Sequence, residues 1–164
     1  MKHLYMISGT MGVGKTTTCR ILRDMLPDCA FLDGDWCWDM HPFKVTEETK
    51  AMVTDNICHM LNNFLKCSAF ENVVFCWVMH LQSIIDEIVS RLEGEFELHS
   101  ISLVCSPDHL ARRLSEDVRR GIRQQDVIER SIARLPLYEA LNTMKLDVSE
   151  ITPEEAARRI TMMK

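Results

Sequence analysis

Gly9-Thr10-Met11-Gly12-Val13-Gly14-Lys15-Thr16 stands between the apolar run Leu4-Tyr5-Met6-Ile7 and a helix-like segment, Thr17 to Leu26. Glycine, four residues, then Gly-Lys-Thr is the spacing of a phosphate-binding loop, and the pattern carries meaning only where a strand leads in and a helix leads out. Both flanks are present, so this stretch commits the chain to a strand, a tight turn and a helix. A backbone that wraps a polyphosphate must turn its amides inward and come close, which Gly9, Gly12 and Gly14 permit. The first turn of the helix adds unpaired N–H donors and the positive end of its dipole. Val13, Lys15, Thr16 and Thr17 therefore join the glycines as candidates for binding ATP. Lys15 is placed to reach the terminal phosphates, and Thr16 to offer its hydroxyl to a Mg²⁺ ion carried in with the nucleotide.

Beyond the loop, short apolar runs alternate with helical segments. Ile21, Leu22, Met25 and Leu26 recur at helical spacing, and Pro27-Asp28 ends that helix. Cys29 to Leu32 reads as a buried strand ending at Asp33-Gly34-Asp35, whereas Trp36 to Val45 has no clean periodicity and reads as a loop. Thr46 is an N-cap candidate for a helix running to about Lys66. Val73 to Val78 predicts a third strand, and Leu81, Ile84, Ile85, Ile88 and Leu92 stripe a helix that Gly94 closes. Leu98 to Cys105 predicts a fourth strand, with Ser106 and Pro107 opening the next helix. From Asp108 to Leu141 the helical pattern breaks at Gly121, inside Arg119-Arg120-Gly121-Ile122-Arg123, which predicts two helices joined by a basic corner. Lys145 to Val148 is a weak last strand, and Thr152-Pro153-Glu154-Glu155 predicts a capping box before the final helix. Such alternation predicts right-handed βαβ units and a five-stranded parallel sheet covered by helices on both faces, an α/β chain of three layers.

The 164 residues, 46% of them hydrophobic, fit one domain with a substantial core. A net charge of −5 supplies no general attraction to nucleic acid or to an anionic membrane, so an anion site must be local. The seven cysteines are scattered, without the close pairing of a zinc site, and read as reduced core thiols. No stretch of 18 apolar residues occurs, and Met1-Lys2-His3-Leu4 leads straight into the first strand. The expected address is cytoplasmic. The expected partner is a small-molecule acceptor, with no nucleic acid and no membrane, for a monomer or homodimer.

In open α/β sheets ligands bind outside the carboxyl ends of the strands, where Asp33 and Asp35 fall. Two such acids beside a phosphate loop can divide the labour, one holding magnesium and the other accepting the proton of an attacking hydroxyl. Asp-Gly-Asp is also a common turn. The loop, this acidic turn, the arginine-bearing helical pair and the short last strand with its Pro-Glu-Glu helix resemble the small P-loop kinases. That group includes shikimate kinase, gluconate kinase, chloramphenicol phosphotransferase and the nucleoside monophosphate kinases. The resemblance implies a P-loop NTPase fold over residues 1–164, with an acceptor-binding helical segment at about 36–67 and a helical lid at about 113–130. It implies that Lys15 and Thr16 hold phosphate and magnesium, that Asp33 helps hold the metal, and that Asp35 contacts the phosphate-accepting hydroxyl as base. It also implies that Arg123 in the lid closes over the phosphates. Arg134, in the run Arg134-Leu135-Pro136-Leu137-Tyr138, would face the site.

Two features depart from that group. The third strand ends in Trp77-Val78-Met79-His80 and carries no acidic residue. The stretch Trp36-Cys37-Trp38-Asp39-Met40-His41-Pro42-Phe43 matches no acceptor motif of the group. Trp36 and Trp38 either stack on a planar acceptor or plug the core beneath the acceptor helix, and His41 and His80 are substrate-site or structural histidines on the same footing. The expected activity is ATP- and Mg²⁺-dependent transfer of the γ-phosphate to a hydroxyl or phosphate of a small molecule: a nucleoside, a nucleotide or an antibiotic. The alternative is a nucleotide-binding regulatory module, of ATPase or GTPase type, that signals to a protein partner. Against it stand the absence of an Asn-Lys-x-Asp guanine motif and of a glutamine placed to activate water.

Overall fold

The computed structural model describes residues 1–163. Among them five strands pair in parallel: β1 (Lys2–Ser8), β2 (Cys29–Asp33), β3 (Asn72–Trp77), β4 (Phe96–Val104) and β5 (Met144–Asp147). Their order across the sheet is β2-β3-β1-β4-β5. The α-helices are α1 (Lys15–Met25), α2 (Glu47–Lys66), α3 (Gln82–Ser90), α4 (Pro107–Arg119), α5 (Val127–Glu139) and α6 (Pro153–Met162). The expected three-layer α/β fold is the observed one.

Alternation along β1 explains the layering, because successive side chains point to opposite faces. Leu4 and Met6 join Val73 and Phe75 under α2 and α3, whose Val53, Ile57, Ile85 and Ile88 close that side. Tyr5 and Ile7 join Val74, Ile101 and Leu103 under α1 and α6, through Leu22, Ala157 and Ile160. With both faces covered, the middles of β1 (Leu4 to Ile7) and β3 (Val73 to Trp77) are continuous apolar runs, as expected of strands in a buried parallel sheet. A third cluster, Leu110, Leu114, Val127 and Leu135, packs against Met11 and seats the α4–α5 pair over the phosphate loop.

Several helix ends differ in detail from expectation. Thr46 caps α2 and exchanges hydrogen bonds with Thr49, a reciprocal box built from two threonines. Ser106 caps α4 by accepting from the His109 N–H. At α6 the Thr152 hydroxyl accepts from the Glu155 N–H, but the Glu155 carboxylate turns forward to Arg158 and Arg159, so only half of the expected box forms. Leu81 is the exposed N-cap of α3 rather than part of its apolar stripe, and the helix ends at Ser90, ahead of Gly94. Trp36 to Trp38, expected as loop, lie in a short 3₁₀ turn, Gly34–Trp38, which begins where the Asp33 carboxylate accepts the Asp35 N–H. Five residues at three per turn are too few to show a hydrophobic period.

The break between α4 and α5 is a helix stop of defined geometry. Gly121 adopts φ +73°, its N–H donates to the Val118 carbonyl, and the Ile122 N–H donates to the Asp117 carbonyl. These are the two bonds of a Schellman motif, which turns the chain out of α4 and into the basic corner.

Candidate active site

β1 is the strand at which the connections diverge, with β3 on one side and β4 on the other. The crevice beyond its carboxyl end is where an open α/β sheet places a ligand. A cavity of about 800 Å³ opens there. Lys15, Thr16, Asp33, Asp35 and Arg123 line it together, with Gly12, Gly14 and Thr17 in its wall. Val13 is buried, and Gly9 lies against it in the base of the loop. The loop is anchored from below, since the buried Thr10 hydroxyl donates to the Ser131 carbonyl of α5 at 2.8 Å.

The acidic turn faces the phosphate loop. Thr16 donates its hydroxyl to Asp33 Oδ2 at 2.7 Å, while Asp33 Oδ1 accepts the Asp35 N–H at 3.0 Å. Lys15 Nζ donates to the Thr10 carbonyl across its own loop at 3.0 Å. The surrounding protein desolvates this ammonium and lowers its pKa. Asp35 receives the Trp77 indole N–H at 3.2 Å. Its pKa is raised, first by desolvation and then by the charge of Asp33; Lys15 and the indole N–H oppose the rise. Its side chain still opens to solvent, which tempers that shift.

Arg134, His80, Trp36, Trp38 and His41 lie apart from the cavity wall, and Arg123 is turned aside within it. Arg123 reaches the wall but is held in the corner, donating to Asp117 at 3.0 Å with both side chains 30% exposed. Arg134 sits on α5 close enough to His80 and Tyr138 for its charge to act on both. His80, whose Nδ1 is buried without a hydrogen-bond partner, has a pKa lowered by burial and by that charge. Trp38 packs edge-on against Trp77 and Phe43 at the border of the core. Trp36 is 51% exposed and meets Phe31 edge-on, and His41 is exposed.

Several residues escaped the sequence reading. His109, Arg112, Arg113, Glu116 and Asp117 all line the cavity. Their spacing of i, i+3, i+4, i+7 and i+8 is the polar face of a helix whose Leu110 and Leu114 face the core, a signal the sequence does contain. Arg113 Nη1 donates to the Val13 carbonyl at 3.4 Å, so this guanidinium lies on the phosphate loop itself. His109 Nε2 is buried without a partner, and burial followed by the charges of Arg113 and Arg112 lowers the pKa of its ring. Ser149 and Glu150, just past β5, complete that end of the cavity. Trp77 is the remaining omission: its indole stands at the end of β3, where the sequence shows no acid.

The fold, the phosphate loop and the acidic turn facing it define a P-loop protein with the architecture of the small kinases. The family described as AAA domain matches residues 6–133, and the chain belongs to that family. No curated protein matches the sequence. Among solved structures, the tunicamycin resistance protein of Deinococcus radiodurans superposes with a TM-score of 0.72 at 16% identity, over 99% of this chain and 95% of that one. A gluconokinase from Sinorhizobium meliloti 1021 gives a TM-score of 0.68 at 18% identity, over 96% and 89%. The shikimate kinase of Acinetobacter baumannii, solved with shikimate, gives 0.61 at 19% identity, over 99% and 92%. At these identities the likeness is one of fold. Among the described residues no helix is long and apolar enough to cross a membrane.

Proposed function

We propose that the chain is an ATP- and magnesium-dependent phosphotransferase that moves the γ-phosphate to a hydroxyl or phosphate of a small molecule. The observation that carries this reading is the convergence of Lys15, Thr16, Asp33, Asp35 and Arg123 on one cavity. A bare nucleotide-binding loop needs no second acid beyond its metal ligand, whereas a transfer site needs a group to meet the acceptor.

The donor half uses the loop amides and Lys15 to hold the β- and γ-phosphates. Thr16 and Asp33 fit Mg²⁺, because both offer hard oxygens and their 2.7 Å separation is close to the ~2.9 Å edge of an octahedron with ~2.05 Å bonds. When bound, the ion offsets charge on the phosphate oxygens. Asp35 orients the acceptor and takes up its proton, in the position Trp77 gives it. Arg123 leaves Asp117 to neutralise the transferring group, Arg113 does so from its seat on the loop, and Arg134 with His80 guards the approach from α5. Residues 113–130 act as the lid, and residues 36–67, with Trp36, Trp38 and His41, as the acceptor segment of a single kinase domain. Likeness to structures named as gluconokinase and shikimate kinase supports a small-molecule acceptor, of which nucleosides, nucleotides and antibiotics are the classes to try.

ADP release, measured with ATP and Mg²⁺ against a panel of such acceptors, tests the proposal. One acceptor class should stimulate release and gain phosphate in step with ADP. Hydrolysis indifferent to every acceptor but stimulated by a protein partner would replace the kinase with a regulatory module.

A further inference from the structure

A second group of titratable side chains lies at the opposite end of the sheet. β1 and β4 pair with His3 opposite Glu97 and Tyr5 opposite His99. Partners in a ladder share a face, and alternate residues of a strand return to it, so all four project from the same side. There Nδ1 of His3 lies 3.2 Å from Nε2 of His99 and 3.2 Å from one carboxylate oxygen of Glu97. The other oxygen of Glu97 lies 3.9 Å from Nε2 of His99. His99 is 3% exposed, and its ring is held by Tyr5, stacked at 4.6 Å and 17°. His3 and Glu97 keep an open side toward solvent.

We infer that His3, Glu97 and His99 form a site for a divalent transition metal, and that zinc is the ion this donor set suits. Zinc takes imidazole nitrogen and carboxylate oxygen at ~2.0–2.2 Å in a tetrahedron, so any two of its donors stand about 3.4 Å apart. The His3–His99 and His3–Glu97 separations are within a few tenths of an ångström of that edge, and the partly exposed Glu97, whose other oxygen faces His99 at 3.9 Å, needs only to turn to bring one oxygen toward both rings. A hydrogen-bonded relay accounts for the geometry less well. Nδ1 of His3 has a single direction for a proton or a lone pair, and two groups approach it at the same 3.2 Å, so hydrogen bonding serves both only as a weaker bifurcated bond. Atoms that share one ion converge in this way.

Two imidazoles and one carboxylate favour zinc, copper or nickel over magnesium, which separates this site from the all-oxygen pair Thr16 and Asp33. The separation is also spatial, since from His3 to Ser8 β1 advances about 17 Å at ~3.3 Å per residue. The site therefore stands whether or not the chain is a kinase. Its fourth position, on the exposed side, is left for water. The ion joins the amino end of β1 to that of β4, so binding stabilises the folded sheet.

The test uses untagged full-length protein freed of metal with a chelator and titrated with zinc chloride, followed by calorimetry and thermal unfolding. One zinc per chain should bind and raise the unfolding midpoint. Cobalt in its place should give the visible bands of a tetrahedral nitrogen and oxygen site, with no thiolate charge-transfer band. Losing a direct ligand should weaken binding by about 100-fold or more, since even residues that merely support a ligand cost 10–100-fold. His3→Ala and Glu97→Gln alter partly exposed side chains, and both should unfold with the wild type in the absence of zinc. Equal zinc affinity in wild type and both variants, a thiolate band from any of the seven cysteines, or no zinc uptake by folded wild-type protein would each overturn the inference.

Discussion

The indole N–H of Trp77 donates to Oδ1 of Asp35 at 3.2 Å, tying the end of β3 to the acidic turn that follows β2. The tie is close because Gly34 has no side chain: a Cβ there would stand 2.5 Å from the Trp77 ring. A large aromatic residue at the end of a kinase-like strand thus orients the proposed base.

Trp77→Phe keeps an aromatic side chain, smaller than the buried indole, and removes the donor. That N–H favours the ionised form of Asp35, so its loss raises the Asp35 pKa further. Asp35 must be ionised to accept a proton, and activity falls as pH drops through its pKa. The acid limb of kcat/KM should therefore lie at higher pH than that of an unperturbed aspartate in the wild type and move higher still in the variant. A profile that stays in place shows that the indole does not act on the base.

Gly34→Ala sets a methyl group against the Trp77 ring and the start of the 3₁₀ turn. Overpacking of this kind costs about 1–3 kcal/mol. Urea unfolding should show a lower midpoint at an unchanged slope; an unaltered midpoint means that the ring yields without cost.

The buried Tyr138 hydroxyl donates to the Val78 carbonyl at 2.7 Å, fastening α5 to the segment after β3. Tyr138→Phe leaves that carbonyl without this donor, a loss of about 1–3 kcal/mol. Thermal unfolding with a lower midpoint is the expected result.

Asp35→Asn and Arg113→Ala separate the two halves of the site. The first should lower kcat with little change in KM for ATP. The second should weaken ATP as well, because Arg113 rests on the phosphate loop. If Asp35→Asn weakens ATP and kcat together, Asp35 belongs to the metal site instead.

Legibility in the sequence followed the range of the interactions. The sheet and its helices were readable because apolar runs, caps and the stop at Gly121 act over a few residues. Thr16 and Asp33 could be singled out separately because a phosphate loop and a strand-end acid have fixed places in such a sheet, but their direct hydrogen bond could not. The Trp77–Asp35 bond joins residues 42 positions apart and leaves no local mark. Arg113 leaves one, the polar face of α4 opposite Leu110 and Leu114, but nothing in that face singles out Arg113 as the residue that reaches the phosphate loop. The tryptophan stretch was silent because a single 3₁₀ turn has no period to read. His3, Glu97 and His99 stayed hidden until the register of β1 and β4 brought them together.

ATP labelled in its γ-phosphate follows the transferred group directly. With Mg²⁺ and a responsive acceptor, label should pass to the acceptor in a one-to-one ratio with ADP, and Lys15→Ala should slow this by about 10²–10³-fold while remaining folded. Label released only as inorganic phosphate, at the same rate with every acceptor, would contradict the account.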